Sequence, residues 1–183
     1  MTEQQFWDIL NAAFRRRGKK NPDFHCKKWF NALKAELGRL TPEEILLFRK
    51  YFDERVWTAD TVDLLGAHLL INGGSDDSFH HFRCWLVGRG KEVYQNALAD
   101  ADSLADVLDG QWPVEATLDS AARQVWEEKT DRTGFDEFGD ALQQLNIQRL
   151  QEDPGEDWDV EDDDELHRRL PRLSQLYRDE GQE

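Results

Sequence analysis

The sequence predicts an all-α protein: a single multi-helix globular domain of about eight to nine helices with an acidic C-terminal extension. Two observations carry this prediction. Apolar residues recur at spacings of three and four along most of the chain, the period of one helix face. No segment sustains the apolar–polar alternation of a strand, and valine and isoleucine are scarce. The 183-residue length suits one domain. Hydrophobic residues make up only 39% of the chain, but seven Trp, ten Phe and three Tyr compensate. Each aromatic can bury about 150–250 Å², so a sizeable core is available.

In residues 3–17, Phe6, Leu10, Ala13 and Phe14 share one face. "RGKKNPD" breaks this first helix. A second runs from about Asp23 to Leu37, with Cys26, Trp29 or Phe30, Leu33 and Leu37 as its stripe, and Gly38 closes it. "LTPEEILLF" is the clearest local signal. Thr41 can cap, Pro42 fits the first helical position, and Glu44 completes a capping box. Leu40 and Ile45 can form the hydrophobic staple across that cap. This third helix carries Ile45, Phe48, Phe52 and Val56 and ends near Trp57.

"DTVDLLGAHLLI" reads as a fourth helix, stopped by Asn72-Gly73-Gly74. Ser75, Asp76 or Asp77 can cap a fifth, with Phe79, Phe82 and Leu86 on one face and Gly88 and Gly90 at its end. "KEVYQNALA" makes a sixth. "DADSLADVL" is a loop with a short helical turn. "PVEATLDSAARQVWEEKT" forms an amphipathic helix on Val114, Leu118, Ala121, Val125 and Trp126. "GFDEFGDALQQLNIQRL" forms another on Phe135, Phe138, Leu142, Leu145 and Arg149 or Leu150. The helical domain thus spans residues 1–151.

Residues 152–165, "EDPGEDWDVEDDDE", hold ten acids in fourteen positions and no base. That composition predicts a solvated loop or linker, or carboxylates that mimic nucleic-acid phosphates or bind a basic protein. Residues 166–183 form a short helical C-terminal segment, leucine-spaced and interrupted at Pro171. It can fold back on the domain or dock on a partner. No internal repeat is visible.

Several classes are set aside. The longest apolar runs are a few residues, far short of the ~20 a membrane span needs. The N-terminal stretch does not read as a secretory signal. Cys26 and Cys84 form no CxxC spacing and read as buried thiols of a reducing cytoplasm. The net charge is −15, with residues 1–40 at +5 and the remainder at −20. Such a balance repels a phosphate backbone, so no nucleic-acid partner is expected. The basic section "RRRGKKNPDFHCKK" can touch a phosphate or an acidic partner, but the favoured reading is that it offsets the acidic remainder.

"FWDIL", "LTPEEILLFRKYFDE", "GAHLLINGGSDDSFHHFRCWLVGRGKEVYQNALADADSLAD" and "WDVEDDDELHRRLPRL" together resemble a bacterial family, domain of unknown function 4240. The resemblance covers nearly the whole length. The chain has Leu65-Gly66-Ala67 where the family often has Trp-Gly-Ala, and one residue fewer between Gly-Gly and Asp-Asp. The resemblance implies a soluble, mostly helical bacterial protein and no known activity.

The candidate binding corner is "INGGSDDSFHHFRCW", with Asn72, Asp76, Asp77, His80, His81, Arg83 and Trp85. Asp76/His80 and Asp77/His81 are four apart, a spacing compatible with metal ligation, and His68 on the preceding helix can add a third ligand. The same spacing arises when acids cap a helix, and capping is the favoured reading, so no metal or cofactor is assigned. Arg83 calls for a carboxylate from Asp76, Asp77 or Asp63, as an internal salt bridge or as an anion site at a pocket mouth. Cys84 and His80, four apart, can form a thiolate pair, but a small core cysteine is the commoner case. No catalytic motif occurs, and no catalytic residue is assigned. Trp158, alone among acids, is a candidate anchor on its own domain or on a partner.

The functional expectation is a protein-interaction or regulatory module without catalysis, acting through an unknown protein partner. The alternative is an enzyme or a metal- or anion-binding protein centred on the corner. A weaker alternative is an immunity-type acidic protein that neutralises a basic toxin surface.

Overall fold

The capping box predicted at Thr41 forms as its spacing requires. Thr41 Oγ1 accepts from the Glu44 amide at 3.2 Å, and the Glu44 carboxylate accepts from the Thr41 amide at 2.9 Å. Pro42 follows at the first helical position. These contacts belong to a computed structural model that describes residues 1–16, 25–72, 74, 76–108, 118–145 and 158–177; the side chains of His25, Cys26, Asn72, Asp76, Asp77 and Phe135 lie outside the described set.

Among the described residues the chain forms α1 (Glu3–Arg16), α2 (His25–Leu37), α3 (Pro42–Thr58), α4 (Val62–Asn72), α5 (Asp76–Gly88) and α6 (Lys91–Ala99). A 3₁₀ helix (Ala101–Asp106) comes next, then α7 (Asp119–Thr130), α8 (Phe135–Gln143), α9 (Asp163–Arg169) and α10 (Pro171–Tyr177). No strand occurs among the described residues. The class is therefore all-α, as the periodicity predicts.

The aromatic supply fills the core. Phe6 meets Trp7, Phe48 and Tyr51 at 4.9–5.7 Å between ring centroids. Trp7 meets Tyr94 at 5.4 Å, and Phe14 meets Trp29 at 5.5 Å. α1 packs on α2, α2 on α7, and α7 on α3, while α5 lies against α3 and α6. Gly90 starts α6 with φ of +94°, a backbone that favours glycine and turns the chain out of α5.

Two boundaries differ from the prediction. α7 begins at Asp119, so Asp119 stands at a helix start rather than within a helix; residues 109–117, including Val114, lie outside the described set. α8 ends at Gln143, and the predicted continuation through residues 146–150 lies outside the described set.

The C-terminal segment folds back on the domain. Pro171 divides it into α9 and α10, and Leu166, Leu170 and Leu173 are buried in the common core. Asp102, itself buried, accepts from the Arg172 amide at 3.1 Å and the Leu173 amide at 2.9 Å, which caps α10 from the 3₁₀ helix. Trp158, within the predicted linker, is anchored on α4, whereas Asp159 and residues 161–164 that follow it are exposed. The Trp158 Nε1 donates to Asp63 Oδ1 at 2.7 Å. A Cβ at Gly66 would lie 2.6 Å from its Cη2, so only glycine leaves room for the indole there. Residues 152–157 lie outside the described set.

Candidate functional site

Three ligand-type side chains converge where α5 meets the start of α7. His80 and Cys84 lie one turn apart on α5, which puts both on one face. The Cys84 Sγ to His80 Nε2 distance is 3.5 Å. Asp119 Oδ2 lies 3.7 Å from the same His80 nitrogen. One ligand atom from each of the three residues lies within 4.8 Å of the others. Cys84 is fully buried, whereas the side chains of His80 and Asp119 are 45% and 28% exposed. The cluster therefore has a closed inner end and a solvent-facing mouth.

α3 supplies the charges behind it. Arg49 Nη1 donates to the Asp119 carbonyl at 2.8 Å, and Arg49 Nε donates to Asp53 Oδ1 at 2.7 Å. Burial raises the Asp53 carboxyl above its ordinary pKa, against the pull of Arg49. Burial also acts to raise Asp119, but hydrogen bonding to His80 and the charges of Arg49 and His80 outweigh it. The Asp119 carboxyl accordingly sits below its ordinary value. Burial, reinforced by the Asp119 charge, drives the Cys84 thiol strongly upward.

This geometry disfavours the thiolate-pair reading. A nucleophilic Cys–His–Asp relay needs the histidine to use one ring nitrogen for the cysteine and the other for the acid. Here both contacts run to Nε2. The thiol is also buried and held protonated. The mutual approach of three ligand-type atoms is compatible with a cation site.

The rest of the predicted corner divides among separate contacts. Arg83 Nη1 pairs with Asp60 Oδ2 at 2.8 Å, not with Asp63, and its guanidinium lies 4.6 Å from the Phe79 ring centroid. His81 is half-buried and meets His80 edge-on at 5.9 Å. Trp85 is buried and stacks on Phe82 at 5.6 Å. His68 is fully buried; its Nε2 meets Ser78 Oγ at 2.9 Å and its ring packs against both Phe79 and Phe82. It thus belongs to a different contact set from His80. α4 ends at Asn72 and α5 begins at Asp76 and Asp77, whose side chains lie outside the described set.

Sequence reasoning singled out His80, and weighed Cys84 as its partner, but missed Asp119, Arg49 and Asp53. Asp119 is 39 positions beyond His80 and reads as a helix residue, so no local spacing connects the two. Trp158, the candidate partner anchor, is half-buried on α4, with Arg169 over its ring at 5.2 Å.

The fold and site define a helical domain with one His–Cys–Asp convergence among the described residues. The family model "Protein of unknown function (DUF4240)" matches residues 1–128, and the chain belongs to that family. No curated protein and no solved structure matches it. No helix among the described residues is long and apolar enough to cross a membrane.

Proposed function

We propose that the domain is a protein-interaction or regulatory module without catalysis of its own, and that it engages a basic protein surface through the acidic strip at residues 159–164. The observation that supports this reading is how that strip is carried. Asp159, Glu161, Asp162, Asp163 and Asp164 are exposed, and no described lysine or arginine pairs with them. Glu165, the next acid, is different: Arg168 and Arg169 bind it and hold its carboxyl at a pKa of about 2. Trp158 on one side and α9 on the other fix the unpaired acids on the domain.

A preformed patch of one sign steers an oppositely charged partner and loses less entropy on binding than a free tail would. It repels nucleic acid. Neutralising a basic toxin, as an immunity-type protein does, is one role within this class. Cys84, a free buried thiol, is consistent with a reducing cytoplasm.

The test is affinity capture by the tagged full chain from its native host, in parallel with a variant carrying Asp159→Lys, Glu161→Lys, Asp163→Lys and Asp164→Lys. Asp162 is kept because it caps α9. The reading predicts a basic protein that the wild type captures, that moderate salt releases, and that the variant does not retain. Equal recovery by both chains contradicts it.

A further inference from the structure

We infer that His80, Cys84 and Asp119 form a binding site for a divalent transition metal of the zinc type, with one coordination position open to solvent. The inference rests on distances and charge and is independent of the acidic strip.

Zinc binds cysteine sulfur at about 2.3 Å and histidine nitrogen or carboxylate oxygen at about 2.0–2.2 Å, so adjacent ligands on a tetrahedron stand about 3.3–3.6 Å apart. The Cys84–His80 distance of 3.5 Å matches such an edge, and the His80–Asp119 distance of 3.7 Å comes close. The third edge, from Cys84 to Asp119, lies within 4.8 Å and must shorten as the ion binds, with the partly exposed Asp119 as the side chain that moves. A soft thiolate, an imidazole and a carboxylate suit zinc or cobalt better than magnesium or calcium.

Charge favours the same ion. Asp53 and Asp119 contribute two negative charges against the single positive charge of Arg49. When the metal binds, the Cys84 S–H bond breaks, its proton leaves to solvent, and a sulfur–metal bond forms. A divalent ion with one thiolate then leaves the whole cluster neutral, with His80 uncharged. Arg49 holds the start of α7 through the Asp119 carbonyl, so the Asp119 ligand is positioned from behind. The ion enters past His80 and Asp119, and Cys84 closes the inner end. With three protein ligands, the fourth position belongs to water or to a donor atom brought by another molecule.

The experiment is titration of the metal-stripped full chain with cobalt(II). Thiolate-bound tetrahedral cobalt has a sulfur-to-metal charge-transfer band and intense visible ligand-field bands. The expected result is saturation of both at one cobalt per chain, and their loss on adding zinc. Cys84→Ser removes the charge-transfer band, Cys26→Ser leaves it, and Asp119→Asn weakens cobalt binding by about tenfold or more. Asp119 is half-exposed, so its variant reports on the site even where Cys84→Ser fails to fold. A wild-type chain with no charge-transfer band overturns the inference. So does a band that survives in folded Cys84→Ser or depends on Cys26, or cobalt affinity unchanged by Asp119→Asn.

Discussion

The indole of Trp158 donates to the Asp63 carboxylate, at 2.7 Å, across 95 positions of sequence. The ring sits in the gap that Gly66 leaves on α4, with Arg169 on its other side. One aromatic residue in an acidic run thereby adds to the buried leucines and the Asp102 cap that hold the C-terminal segment on the domain. Trp158→Ala is expected to destabilise the protein by about 2–4 kcal/mol through lost burial and one lost hydrogen bond. Urea denaturation measures this.

Gly66 provides the sharper test of that contact. Gly66→Ala pushes a methyl group into the indole, an overpacking cost of about 1–3 kcal/mol that outweighs the helix-propensity gain of about 0.5–1 kcal/mol. In a Trp158→Ala background the indole clash is gone and only Leu166 Cδ1 stays close, at 3.3 Å, so the same substitution should cost markedly less than in the wild type. A double-mutant cycle reads that difference.

Asp102 ties α10 to the 3₁₀ helix through two backbone amides. Asp102→Ala leaves those amides unpaired in a buried position and should cost about 1–3 kcal/mol. Asp102→Asn keeps an acceptor oxygen and should cost less. Limited proteolysis should cut the Ala variant after Arg168, Arg169 or Arg172 sooner than wild type.

Much of the helical frame was legible because its causes are local. The Thr41–Glu44 box, the stripe on α1 and the break at Pro171 depend on neighbours within one turn, and all three form as the spacing dictates. The pairings between helices were not legible. Arg83 meets Asp60, just beyond the end of α3, rather than Asp63; the side chains of Asp76 and Asp77, the other candidates, lie outside the described set. Among the described side chains, the acid beside His80 is Asp119 on α7, which no local spacing points to. In a chain with 38 acids, a basic residue has many eligible partners, and only tertiary packing selects one. Trp158 drew notice as an isolated aromatic, but nothing in local spacing points from it to Gly66.

Asp60 is half-exposed and Arg83 nearly buried, so the two ends of their ion pair are not equivalent. Asp60→Ala leaves the Arg83 charge without its carboxylate and should cost about 1–2 kcal/mol. Replacing both, Asp60→Ala with Arg83→Met, should recover part of that loss. Thermal unfolding of the three chains measures it.

His68 sets a pH dependence. Burial lowers its pKa below the ordinary 6.5, so the folded state holds it neutral where the unfolded chain takes up a proton. The unfolded state then binds more protons, and stability falls as pH drops below about 6.5 and keeps falling until the lower folded pKa is reached. Above about 6.5 the contribution of His68 is flat. His68→Gln should flatten the acid side of the curve of melting temperature against pH.

The proposed binding face requires that residues 158–177 stand on the domain as a fixed platform. Amide hydrogen exchange of the free chain tests this most directly. The account predicts that α9 and α10 exchange slowly, with protection comparable to that of α4, and that Trp158→Ala removes protection from α9 first. Exchange across residues 163–177 at unfolded-chain rates, while α4 stays protected, would contradict it.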